Sequence, residues 1–255
     1  QERPVILIVE DNRDLRNYIS GHLGSDYHLV EAGNGKAGLE TALNNIPDLI
    51  LSDLMMPEMD GMEMCRQLKA DEKTSHIPVI MLTAKADRDS KLEGFTLGAD
   101  DYLIKPFDAE ELKVRVKNLI DQRRILREKF RKEFFSHRPH KDFKPFDDEL
   151  MDKLISIFEQ HLDDPDFNIE DIGNEIQMSR TQLFRKISAL TGSSPKELLR
   201  NMRLRSAARM FSSGHNHITQ VMLKVGFNNS SYFTKCFKEL YGATPTKYIM
   251  NNSNS

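Results

Sequence analysis

The chain has 255 residues, 39% of them apolar, and a formal net charge of −3. That supports two modest domains with separate cores, and no run of about 18 apolar residues occurs that would let this segment span or contact a membrane. Two cysteines, Cys65 and Cys236, sit far apart in helical patterns and read as buried free thiols of a reducing compartment, not as a disulfide.

Four short apolar runs each end on a polar residue. Residues 5–9 run into Glu10 and Asp11, 49–52 into Asp53, 79–82 into Thr83 and 101–104 into Lys105. Such runs, alternating with helical stretches, read as strands of a parallel, doubly wound α/β sheet buried on both faces. Ligands of such sheets bind at the carboxyl ends of the strands. Three carboxylates, a hydroxyl and an ammonium are therefore expected at one rim. Clustered carboxylates need a cation, and a few hard oxygen ligands suit Mg²⁺. A lysine beside them suits a phosphoryl group. The methionines between Met55 and Met64 read as loop and helix packing, and the eight histidines show no metal-ligand spacing.

Together with Asp53-Leu54-Met55-Met56-Pro57-Glu58-Met59-Asp60-Gly61, Thr83-Ala84 and Lys105-Pro106-Phe107, these five positions resemble a two-component receiver domain over residues 3–121. The resemblance implies a flavodoxin-like, five-stranded fold. It makes Asp53 the phosphoacceptor from a histidine kinase. It makes Glu10, Asp11, Asp53 and the Met55 carbonyl the Mg²⁺ ligands, and Thr83, Ala84, Tyr102 and Lys105 the phosphoryl-binding and switch residues. It also implies a cis Lys105-Pro106 bond, inward movement of Tyr102 with Thr83, and a homodimer on phosphorylation through the face near Tyr102 and the helix from Asp108.

Charge divides the chain. Residues 1–121 carry 14 basic and 23 acidic side chains, whereas residues 179–255 carry 12 basic and 2 acidic ones. An acidic first half and a basic last third point to nucleic acid at the C-terminal end. Between them, residues 122–147 read as a helical lever and linker. Leu112, Val116, Leu119, Arg123, Leu126 and Phe130 have coiled-coil spacing, and breaks follow at Pro139 and Pro145.

From residue 148 the pattern is all-helical, and one unit occurs twice: a short helix, a tight turn and a second helix closed by Gly192 or Gly242. Ser194-Pro195-Lys196-Glu197 starts a long helix joining the two. Met178-Ser179-Arg180-Thr181-Gln182-Leu183-Phe184-Arg185-Lys186 and Val225-Gly226-Phe227-Asn228-Asn229-Ser230-Ser231-Tyr232-Phe233 resemble the AraC-type DNA-binding domain, over residues 148–249. The resemblance makes Thr181, Phe184 and Arg185 base-edge contacts. Ser230, Ser231, Thr234 and Lys235 face outward in the second unit. Arg180, Lys186, Arg200 and Lys238 suit phosphates, which fix register without reading sequence. Gln177 stands where the family has glycine, which implies a strained turn. Met222 stands where a small residue is usual, which implies helices pushed apart. The tail, residues 250–255, reads as frayed.

The whole resembles the C-terminal part of a hybrid two-component regulator, cytoplasmic in itself, whose parent is anchored in the inner membrane. A chain beginning with Gln1 fits a fragment or processed product, and the stretches 90–94 and 122–124 also resemble those hybrids. A free-standing response regulator, or a phosphorelay receiver with a protein-binding helical domain, is the alternative reading. No glycine-rich nucleotide loop or kinase phosphoacceptor helix supports catalysis by this segment.

Overall fold

The computed structural model describes residues 3–84, 98–134 and 149–253. The chain divides into two compact units at Glu128/Lys129. No described helix is long and apolar enough to cross a membrane. The stretch 90–94, the breaks at Pro139 and Pro145, and the last two residues lie outside the described residues.

In the first unit, β1 (Val5–Val9), β2 (His28–Ala32), β3 (Leu49–Asp53), β4 (Val79–Ala84) and β5 (Asp101–Lys105) form one parallel sheet, ordered β2-β1-β3-β4-β5. Order reverses around β1, the crevice where such sheets bind ligands. Register aligns the rim: Val9 lies opposite Ala32 and Ser52, Asp53 opposite Leu82, and Ala84 opposite Lys105. Helices α1 (Arg13–Leu23), α2 (Gly35–Asn45) and α3 (Gly61–Ala70) start on side-chain caps from Asn12, Asn34 and Asp60, which satisfy otherwise orphaned amides. On one sheet face Ile6, Ile8, Leu51, Leu82 and Leu103 pack with Ile19 and Leu23 of α1 and with Leu112 and Val116 of α4 (Ala109–Phe134). On the other, Gly38 of α2 lies so close to Val9 and Met64 that a Cβ would sit 2.7 Å and 2.9 Å from their side chains.

Helix α4 corrects the expected coiled-coil seam. Leu112 and Val116 are fully buried in the sheet core, Leu119 is partly buried against it, and Leu126 is 57% exposed. Leu112, Val116 and Leu119 of the stripe serve the first unit's own core, while Phe130, also buried, lies beyond that unit. Arg127 then pairs with Asp48 at 2.9 Å, and Asp48 also accepts the Val5 amide at 2.9 Å. This tie holds α4 to the first unit beyond residue 121. The methionines part company: Met64 is buried, but Met55 is 72% exposed.

The second unit contains α5 (Glu149–Gln160), α6 (Ile169–Glu175), α7 (Arg180–Thr191), α8 (Pro195–Ser212), α9 (Ile218–Lys224), α10 (Ser230–Tyr241) and α11 (Pro245–Ser253). Helix α11 reaches Ser253, so most of the tail expected to fray is helical; Tyr248 and Ile249 pack on the core of α8, α9 and α10. Ser179–Gln182 and Ser194–Glu197 form complete capping boxes, and Gly192 and Gly242 close α7 and α10 in left-handed conformations.

The repeat is visible in the backbone. Gln177 has φ 55° and Gly226 has φ 72°. The Met178 amide donates to Gly173 O at 2.9 Å, and the Phe227 amide to Met222 O at 3.0 Å. Equal closure means that Met222 does not splay the second unit; its side chain is buried in the aromatic core beside Phe233 and Phe237. The second turn has one extra residue: Ser179 caps α7 two positions after Gln177, whereas Asn229 caps α10 three after Gly226.

Candidate functional sites

The rim gathers the expected groups. Lys105 Nζ lies 2.8 Å from both Glu10 Oε2 and Asp53 Oδ1. Asp53 Oδ1 also accepts the Leu54 amide at 2.8 Å. Glu10 is buried, and loss of water raises its pKa, against the opposing pull of Lys105. Asp11 is exposed beside them. Carboxylate oxygens of Glu10, Asp11 and Asp53 lie within 4.8 Å of one another, a donor set able to hold one hard divalent ion.

The loop after Asp53 is pressed inward. A Cβ on Gly61 would lie 2.1 Å from Asp53 O, so only glycine fits there. Met55, whose carbonyl was expected as a further ligand, follows Asp53 by two residues on this loop. Thr83, at the adjacent strand end, is buried, and its hydroxyl has no hydrogen-bond partner among the described residues. A buried hydroxyl without a partner costs free energy unless it serves a ligand. Ala84 follows it, exposed. Tyr102 is buried, its pKa pushed up to about 12, chiefly by loss of water. Lys105-Pro106 is cis.

In the second unit, Arg180, Thr181 and Phe184 of α7 are exposed and Arg185 is half-buried. Leu183, Ile187 and Leu190 point into the core. On α10, Ser230, Ser231 and Lys235 are exposed and Thr234 is half-buried, over a core of Phe233 and Phe237. Lys238 is exposed and Arg200 half-buried. The structure differs at Lys186, which is 0% exposed. It therefore offers no ammonium to a phosphate, and its position on α7 belongs to the core side. Its counterpart in the second unit, Cys236, is buried too. That pairing was the signal available in the sequence. A residue missed from sequence is Arg203 of α8. Its guanidinium donates to Gly226 O at 3.2 Å and to Asp164 O, holding the second turn. Tyr232, 46% exposed on the first turn of α10, was also missed.

A family model described as response regulator receiver domain matches residues 6–117, and one described as helix-turn-helix domain matches residues 172–251. Histidine kinase P4 of Formosa agariphila is 39% identical over 248 residues, covering 97% of this chain and 18% of that protein. Response regulator ArlR of Staphylococcus saprophyticus is 45% identical over 134 residues, covering 49% of this chain and 60% of that protein. The chain thus spans less than two thirds of either relative. A solved signal receiver domain of a signal transduction histidine kinase from Syntrophus aciditrophicus is 36% identical, with a TM-score of 0.45, covering 47% of this chain and 91% of that one. With the parallel five-stranded sheet and the twice-repeated helix-turn-helix unit, the two family models identify the chain as a response regulator receiver domain followed by an AraC-type helix-turn-helix domain.

Proposed function

We propose that this segment is a phosphorylation-controlled transcription regulator. Asp53 accepts a phosphoryl group from a histidine kinase, and the second unit binds an operator sequence-specifically. One observation carries the reading. The strand-end rim holds Lys105 at 2.8 Å from both Asp53 and Glu10, and the buried Thr83 hydroxyl has no hydrogen-bond partner among the described residues.

In the transfer, an Asp53 carboxylate oxygen attacks phosphorus. A P–O bond forms as the P–N bond of the donor phosphohistidine breaks, and the imidazole leaves. Lys105 compensates charge on the phosphoryl oxygens. Thr83 donates its hydroxyl proton to one of them, and buried Tyr102 fills the space behind it. Glu10, Asp11, Asp53 and the Met55 carbonyl would hold Mg²⁺, which when bound would neutralise charge on the oxygens of the transferring group. Arg185, with Thr181 and Phe184, reads base edges from α7, and α10 presents Ser230, Ser231, Thr234 and Lys235. Arg180, Arg200 and Lys238 anchor phosphates. Phosphorylation favours a homodimer with higher operator affinity. Likeness over nearly the whole chain to a protein named histidine kinase supports a hybrid parent that carries its own kinase, with this segment in the cytoplasm.

Labelling by a radioactive small-molecule phosphodonor or by a cognate kinase tests the reading. Wild type should acquire an acid-stable, hydroxylamine-sensitive phosphate, and Asp53→Asn should acquire none, because an amide is a poor nucleophile. Normal labelling of that variant would sink the assignment.

A further inference from the structure

The acidic pair that opens the rim stands on one guanidinium. Arg16, one turn into α1, donates from Nη1 to Glu10 O at 2.6 Å and to Asp11 O at 3.1 Å. Its Nε lies 3.5 Å from Glu31 Oε2 on the neighbouring strand β2. Ser20, the next turn of α1, donates its hydroxyl to Glu31 Oε1 at 2.6 Å. The Arg16 side chain is only 19% exposed, so this guanidinium is enclosed and held from two sides. Two successive carbonyls converging on one nitrogen fix both peptide planes as the chain leaves β1. Those planes set where the Glu10 and Asp11 side chains start. The Asn12 amide adds a bond to Glu10 Oε1 at 3.2 Å, so the turn is defined on both its backbone and its carboxylate side.

We infer that Arg16, oriented by Glu31 and Ser20, is a positioning residue for the divalent-cation site, setting cation affinity through the backbone of Glu10 and Asp11 without touching the ion. The inference rests on the proposed cation-dependent phosphoacceptor site and adds residues to it that the strand-end motif does not include. Groups that orient metal ligands commonly change metal affinity about 10–100-fold when lost. A guanidinium serves better than an ammonium here, because its fixed fork reaches carbonyls and carboxylate at once.

Calorimetric titration of the full chain with MgCl₂ alone, without phosphodonor, tests this beside thermal melts. Arg16→Ala should bind Mg²⁺ about tenfold more weakly than wild type. Arg16→Lys should fall between them. Glu31→Ala, which leaves the guanidinium in place but unanchored, should also weaken binding. A merely structural arginine would lower the melting temperature and leave the affinity of the folded protein unchanged, and that result overturns the inference. If Arg16→Ala does not fold, Glu31→Ala decides: wild-type affinity in that variant overturns the inference. Asp11→Ala is the control for the reading beneath it. If wild type and Asp11→Ala bind Mg²⁺ equally, the cation site itself fails. If only the Arg16 and Glu31 variants are unchanged, the site stands and this inference falls.

Discussion

Gln177 and Gly226 occupy the same place in the two helix-turn-helix units, both with positive φ. For glutamine the left-handed region costs about 1–2 kcal/mol, while glycine in the unfolded chain gives back about 0.4–1 kcal/mol of that. Gln177→Gly should therefore stabilise the second unit by about 0.5–1 kcal/mol, read as a rise of a few degrees in its melting temperature. The mirror change should do the reverse. In Gly226→Ala a Cβ would lie 2.5 Å from Leu162 O and 2.9 Å from Arg203 Cζ. With φ already unfavourable, we expect a loss above about 2 kcal/mol in denaturant melts. The glutamine was legible from sequence because a turn of this kind has one position that prefers glycine. Lys186 was legible only through its counterpart Cys236, because its own helical position does not say which side packs until the core is known. Lys186→Ala should lower the stability of the second unit, by about 2 kcal/mol in urea melts, and leave the salt dependence of DNA binding unchanged. Loss of one unit of salt slope would return Lys186 to the phosphate-binding set.

Four of the five strands and most helices were legible at the level of the element, whereas β2, His28–Ala32, has no such apolar run and was implied only by the resemblance. Short apolar runs that end on a polar residue and alternate with helical stretches read as buried parallel strands, and serine with glutamate or glutamine three residues on marks a helix start. The α4 stripe misled because spacings of three and four describe a coiled-coil seam and a core-facing helix equally well. Only the sheet beneath Leu112 and Val116 distinguishes them. The capping boxes yield a pH experiment. Glu197 accepts the Ser194 amide and hydroxyl, both at 2.8 Å. These bonds hold its pKa below 4.5, the usual value. A depressed carboxylate pKa adds stability that is present above the unfolded value and lost as pH falls through the folded one. Gln182 fills the equivalent role in α7 with no titrating group. Glu197→Gln should thus keep most of its cap at neutral pH while flattening the acid limb of the stability profile below 4.5. An unchanged acid limb in urea melts would show that the Glu197 cap does not contribute to it.

Across the whole molecule, the division of charge separates tasks. The acidic first 121 residues are unsuited to a polyanion, whereas the basic residues 179–255 carry the charge that counterion release requires. A phosphate at Asp53 can alter operator affinity only as far as it favours the binding-competent assembly. Sedimentation and operator titration of unmodified and phosphorylated protein should show a larger mass and tighter binding after phosphorylation; identical values would exclude the coupling. Within the DNA-binding unit, Arg185→Ala should cost about 1–3 kcal/mol on the operator and relax one base pair. Lys238→Ala, exposed on α10, should weaken all sequences alike and reduce the salt slope by about one. Equal effects of the two would make Arg185 only another anchor.

The extra residue in the second turn makes the two units inequivalent in phase. Each residue advances an α-helix by about 100°. Removing Asn228 to match the shorter first turn would start α10 one step early and rotate it by that angle. Phe233 and Phe237, now buried with residues of α8 and α9, would swing towards water, and Ser231 and Lys235 would turn away from the side on which they are now exposed. A recognition helix transplanted from the first unit into the second would therefore need its turn reset with it, since residue identity alone does not carry the angle at which the helix is presented.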